Sequence, residues 1–211
     1  MSEAIETTKY KGYKIEIFQD ENPENPIKEW DMLGEFICWH RNYDLGNSKR
    51  FDTPEEVREY AKKTNSLLYP LYMYDHSGIG LSLSNTYYPY NCPWDSCQLG
   101  YVLVDREKAL KEYSKKILTK KLKQKIYDVI QSEVNTYNQY LSGDVYGYKV
   151  FDKDGEEIDS CWGYYGMEYA VEEAKSVVDY SVKEYIKQHI EKVKKWIKNN
   201  VPLIYRKSLS I

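Results

Sequence analysis

The 211-residue chain has no apolar run approaching the roughly eighteen to twenty residues of a membrane span. Its opening, MSEAIETTKYKG, lacks a signal-peptide core, which sets the expectation of a cytoplasmic protein without a membrane partner. Cysteine is scarce. Four residues, Cys38, Cys92, Cys97 and Cys161, are too few for a disulfide scaffold at this length and fit a reducing compartment. Histidine is scarcer still, with three. No phosphate-binding Gly loop, dinucleotide fingerprint, HExxH or carboxylate cluster with metal spacing occurs, so the common enzyme classes lose their usual signatures and no cofactor is expected.

What is abundant is tyrosine, at 23 residues, within an aromatic content of 15%. Tyrosine pairs a large apolar body with a polar tip, which suits half-buried sheet faces and binding surfaces; an AT-rich genome would also enrich it, together with Lys, Asn and Ile. The formal net charge of −3 is unevenly spread: the first hundred residues are acidic, whereas Tyr113 to Lys125 (YSKKILTKKLKQK) holds six lysines and no acid, and Lys192 to Lys207 is basic again. Such stretches are solvated helix faces or stripes that meet phosphate or an acidic partner.

In chain order, Tyr10 to Gln19 alternates like a half-buried strand, and Leu33 to His40 reads as a second. Thr53-Pro54-Glu55-Glu56 is a helix start, with Thr as cap and Glu three residues later. Leu67 to Tyr74 and Ile79 to Leu83 flank Asp75-His76-Ser77-Gly78 as a hairpin, and Leu99 to Val104 is a further strand. Asp105 is expected to cap a helix with the stripe Leu110, Tyr113 and Ile117. A second helix carries Leu122, Ile126, Ile130, Val134, Tyr137 and Leu141. Val145 to Phe151 and Glu156 to Trp162 form a hairpin about Asp154-Gly155, and one long helix runs from about Met167 to Asn199. Its second half is expected to project and pair with another chain.

Gly12-Tyr13-Lys14, Cys38-Trp39 and TPEEVREYAKK recur in order as Gly147-Tyr148-Lys149, Cys161-Trp162 and EYAVEEAKS. The expectation is an α+β fold of antiparallel sheets with packed helices, a duplicated ββα unit and a long C-terminal helix. Its parts would be a ββα unit (1–66), a central strand-rich insert with two helices (67–144) and a second ββα unit (145–211), as separate units or packed as one compact domain, with both Cys-Trp pairs in core positions.

Tyr72 to Asp105 concentrates the reactive side chains, holding two of the four cysteines and one of the three histidines. A carboxylate can orient an imidazole that activates a hydroxyl, thiol or water, so His76 with Asp75, Asp95 or Cys97 is drawable as a catalytic group. Yet adjacent strand residues point opposite ways, and Asp and Ser are also what a turn uses for local hydrogen bonds. Cys38, His40, Cys92 and Cys97 make a conceivable zinc set, but without the close ligand pair of a usual knuckle, and no metal is expected. Tyr72, Tyr74, Tyr87, Tyr88, Tyr90 and Trp94 could instead form an aromatic docking face. Lys115, Lys116, Lys120, Lys121 and Lys123 are the candidates for touching nucleic acid.

The strings YMYDHSG (72–78), CPWDSCQLGYVLV (92–104), QYLSGDVYGY (139–148) and DSCWGYYG (159–166) resemble those of a family of small proteins encoded by bacteriophages, prophages and conjugative elements of low-GC bacteria. The resemblance covers roughly residues 67 to 175, and Cys97 stands where relatives carry Gly. It implies an accessory gene of mobile DNA, of a kind that often encodes anti-CRISPR or antirestriction inhibitors. The expected function is therefore a non-enzymatic protein that binds a bacterial nucleic-acid-targeting defence complex through its aromatic surface. The alternatives are a small hydrolase or nucleotide-modifying enzyme built on His76, and a nucleic-acid binder working through the lysines.

Overall fold

The computed structural model describes residues 3–84, 89–90, 92 and 94–206. Among them, eight strands form two four-stranded antiparallel sheets accompanied by six helices, the α+β class expected from the sequence. The chain divides into two units, one built from its two ends (up to Asp20 and from Tyr146) and the other from Glu21–Val145.

The first unit begins with a hairpin. β1 (Glu6–Tyr10) and β2 (Tyr13–Gln19) are joined by Lys11 and Gly12, both at positive φ (49° and 86°), the two-residue turn whose twist matches that of the strands. β2 then pairs antiparallel with β7 (Val145–Phe151), setting Ile15 beside Val150 and Ile17 beside Tyr148. β8 (Glu157–Tyr165) completes the order β1-β2-β7-β8. The 34-residue helix α5 (Met167–Asn200) lays Ala170, Ala174 and Val178 on that apolar face; the spacing of four and the small side chains bring the helix close to the strands. A four-residue turn, α6 (Leu203–Arg206), follows.

In the second unit the sheet order is β3-β6-β4-β5, from β3 (Glu35–Cys38), β4 (Leu67–Asp75), β5 (Ile79–Leu83) and β6 (Ser96–Val104). One face carries Phe36, Tyr69, Leu71, Met73 and Val102 against α4 (Lys120–Ser142), whose Ile126, Ile130, Val134 and Tyr137 are buried. The other carries Ile37, Leu68, Tyr101 and Leu103, and α2 (Pro54–Thr64) covers it with Val57 and Ala61. The Thr53 hydroxyl accepts from the Glu56 N–H as the cap motif requires. A bulge in the β4–β6 pairing lies at Leu71/Tyr72. Beside it Gly100 runs so close to β3 that a Cβ there would meet the Ile37 carbonyl oxygen at 2.0 Å. Two short helices, α1 (Pro26–Glu29) and α3 (Arg106–Glu112), complete the unit.

The structure corrects several expectations. The Gly-Tyr-Lys and Cys-Trp strings do not mark a duplicated ββα unit. β2 and β7 are neighbours in one sheet, whereas β3 belongs to the other, so residues 1–66 do not form a unit of their own. Cys38 is directed to the core of the second sheet, where its thiol donates to the Leu45 carbonyl (3.5 Å), while Cys161 is exposed. Trp162 is not buried; it lies across Gly147, where a Cβ would meet its ring at 2.6 Å. Asp105 makes no side-chain cap bond, and Ser66 Oγ accepts from the Arg106 N–H instead. α3 stops at Glu112, with Ser114 at φ 50°, so Ile117 leaves the helical stripe and is exposed.

Candidate functional site

Alternation along β4 decides where the central tyrosines go. Tyr69, Leu71 and Met73 turn to the α4 core, so Tyr72 and Tyr74 take the opposite face, each half-buried. Register places Gln98 and Ser82 beside Tyr72, and Ser96 and Gly80 beside Tyr74. Gly80 leaves open space above itself. Tyr90 stacks on Tyr74 with ring centroids 5.4 Å apart and donates its hydroxyl to the Gly80 carbonyl (3.3 Å). α2 covers the Leu68–Leu103 end of this face, and among the described residues no helix lies over the Tyr72–Tyr74 end. Trp94 stands at that end with 93% of its surface exposed. Of the expected docking residues, Tyr72, Tyr74, Tyr90 and Trp94 thus fall on or beside one face; Tyr87 and Tyr88 lie outside the described residues.

Next to this face the end of β4 meets the start of β6. The Asp75 N–H donates to the Asp95 carbonyl (2.7 Å), which brings two carboxylates to one corner of the sheet. His76 Nδ1 is 3.2 Å from Asp95 Oδ2, and the Cys92 thiol donates to the same oxygen at 3.3 Å. The Asp75 carboxylate accepts from the Tyr43 hydroxyl at 2.9 Å, which holds that phenol above its usual range, and Tyr43 in turn stacks on His40 (5.1 Å). The His76 side chain is 64% exposed, and Asp95 orients it on the Nδ1 side. Cys97 does not join them: its register partner is Met73, it packs on the α4 core, and burial, reinforced by Asp75, pushes its thiol up. Burial also pushes Cys38 up to about 12. A raised pKa keeps sulfur as thiol, the poor nucleophile and poor metal ligand. Among the described residues no group of three His, Cys, Asp or Glu is disposed to hold a metal ion. The corner can therefore orient one imidazole beside the Cys92 thiol on a shared Asp95 oxygen, while Cys97 is turned to the core.

The lysine candidates are exposed around the start of α4: Lys115 and Lys116 precede it, and Lys120, Lys121 and Lys123 lie in its first turns. Stacking rings are not offered there. Tyr113 lies under the Lys125 ammonium (4.9 Å), and Tyr127 packs edge-on against Tyr69 at 5.5 Å. Sequence reading passed over Tyr43 and gave Asp105 only a capping role, whereas Asp105 accepts from Arg50 (3.0 Å) and Tyr60 (2.9 Å) while Arg50 also reaches Glu35 at 3.3 Å. The hydrogen-bond partners of both side chains lie more than thirty residues away in sequence, so neither bond has a local signal.

Comparison of the chain with family models, curated proteins and solved structures finds no match in any of the three. Among the described residues no helix is long and apolar enough to cross a membrane.

Proposed function

We propose that this chain is a protein-binding accessory factor of mobile DNA that docks on, and inhibits, a bacterial nucleic-acid-targeting defence complex of the anti-CRISPR or antirestriction type. The observation that carries the binding reading is Trp94, almost fully exposed at the edge of the half-buried ring face of Tyr72, Tyr74 and Tyr90. Tryptophan and tyrosine supply large contact area at low conformational cost and are enriched where interfaces are strongest. The identity of the partner rests on the resemblance of the YDHSG, CPWDS and CWGYYG strings to mobile-element proteins, and with it the bacterial cytoplasm as the place of action. Pull-down from cells carrying such a defence system is expected to recover a nuclease component, and expression is expected to lower immunity. Recovery of none, with immunity intact, rejects the reading.

One observation favours a second reading. His76 and Cys92 share an oxygen of Asp95, so a small hydrolase or nucleotide-modifying activity would work through His76. Against it, Cys97 is turned to the core and Asp75 is engaged by Tyr43.

A further inference from the structure

α5 outruns the sheet it packs on. Its buried stripe of Ala170, Ala174 and Val178 continues through half-buried Val182 into residues with nothing over them among the described elements. Ile190 is 45% exposed and Trp196 62%. At about 100° per residue, Tyr185, Ile186, Ile190, Val193, Trp196 and Ile197 fall within one arc of roughly 140°, with His189 among them stacked on Tyr185. No lysine enters that arc. Lys183, Lys187, Lys192, Lys194, Lys195 and Lys198 all occupy the remaining surface, against only two acids in the same stretch, Glu184 and Glu191. Glu184 is already paired with Lys187 (3.5 Å). Past the helix end, Arg206 folds α6 back by donating to the carbonyls of Val201 (2.6 Å) and Lys198 (2.5 Å), which leaves Leu203 and Ile204 exposed at the same tip.

The charges select the occupant of this surface. A second copy docked arc to arc would bring lysine flanks against lysine flanks, which repels at the positions where paired helices place opposite charges. Nucleic acid would satisfy the lysines and leave a wide aliphatic and aromatic arc in water. One surface offers acyl chains to the arc and negative headgroups to its flanks, and Trp and Tyr are side chains suited to the boundary between the two. We propose that residues 181–206 lie on a bilayer rich in anionic phospholipid, the Ile186–Ile190–Val193 arc inward and the lysines reaching outward to the headgroups. Crossing a membrane and lying on one are different tasks, and the absence of a spanning helix bears only on the first. The inference is independent of the aromatic face on the second sheet.

The experiment is flotation of the full chain with vesicles of phosphatidylcholine alone or mixed with phosphatidylglycerol. The chain is expected to float with the anionic vesicles only, less so as salt is raised, with a blue shift of emission that Trp196→Phe removes. Ile190→Glu, at an exposed position, is expected to reduce flotation at least tenfold while thermal unfolding stays unchanged. Neutralising Lys187 and Lys194 to Gln is expected to weaken it about fivefold for each lysine. The proposal is overturned if the chain stays unbound with both vesicle types, whether it then proves to dimerise through the arc or to seat it in an acidic protein groove. Flotation of Ile190→Glu equal to the parent overturns it equally.

Discussion

The Asn138 carboxamide pairs with both backbone groups of Leu81, accepting from its N–H at 2.7 Å and donating to its carbonyl at 2.8 Å. Leu81 lies on β5, the edge of the second sheet, so a side chain from α4 completes the pairing that another strand would otherwise make. At Leu81 the edge is thereby closed to pairing with a second chain.

Replacing Asn138 by Ala strips two partners from a residue that is nearly fully buried. A loss of about 2 kcal/mol is expected, in the range for buried groups left unpaired. Urea unfolding reads the loss, and light scattering should detect self-association of the uncovered edge. Asn138→Asp keeps the acceptor and loses the donor, and it sets a carboxylate against the Leu81 carbonyl. A carboxylate so placed holds its proton more tightly folded than unfolded, so its deficit should shrink as pH falls toward about 4, the unfolded value, where the folded acid is protonated and can donate again. A deficit that does not change with pH would show that the carboxamide is not pairing as described.

The Tyr148 hydroxyl donates to Asp159 Oδ2 at 2.7 Å beneath α5, and burial, aided by that bond, raises its pKa strongly. A raised pKa means the folded state holds the phenolic proton longer than the unfolded chain does. The stabilisation is therefore fully present below tyrosine's ordinary value of about 10 and is lost as pH climbs toward the folded value. Tyr148→Phe should cost about 1–2 kcal/mol at neutral pH. It should also lose less stability than the parent between about pH 10 and 12. Parallel denaturant curves at pH 7 and pH 11 test both statements.

Three of the four thiols should separate by reactivity. Cys161 is exposed on β8. Cys38 is pushed up to about 12 by burial, and Cys97 is raised by burial and Asp75. Alkylation by iodoacetamide at pH 7.5, followed by mass spectrometry, is expected to label Cys161 first, with Cys38 and Cys97 at least tenfold slower until the chain is unfolded. Rapid labelling of Cys97 would revive the nucleophile that the register of β6 argues against.

Local signals in the sequence were read well and distant ones were not. The Thr53 cap, the Asp75–Gly78 turn, the α4 stripe and the length of α5 each depend on residues within a few positions of one another, and each is present. The pairing of β2 with β7 joins residues more than 120 positions apart, and alternation alone does not choose between partners. The Gly-Tyr-Lys strings suggested repetition because both stretches are strands that share a sheet, not because each begins a copy of the same unit. Asp105 has the residue type and place of a helix cap, yet Arg50 and Tyr60, far off in sequence, engage its carboxylate. At the candidate site, alternation along β4 was sufficient to put Tyr72 and Tyr74 on one face and Met73 on the other. That Cys97 follows Met73 to the core depended on register, which the strings in the sequence do not carry.

Trp94 and His76 lie at the same end of the second sheet and separate the two readings of the site. Trp94→Ala removes a side chain that is 93% exposed, and Tyr74→Ala removes the ring on which Tyr90 stacks. If the face is an interface, Trp94→Ala should weaken capture of the partner by tenfold or more, an anchor's worth of at least about 1.4 kcal/mol, and leave thermal stability within about 0.5 kcal/mol. Tyr74→Ala should weaken it as well, with some loss of stability from the broken stack. His76→Ala deletes only an imidazole held by Asp95 and should leave capture within about twofold, because an exposed pair of this kind contributes little. An enzyme would give the opposite pattern: His76→Ala would abolish the biological effect with the fold intact, and Trp94→Ala would spare it. Measuring immunity and partner capture for all three variants in the same cells decides between the two readings.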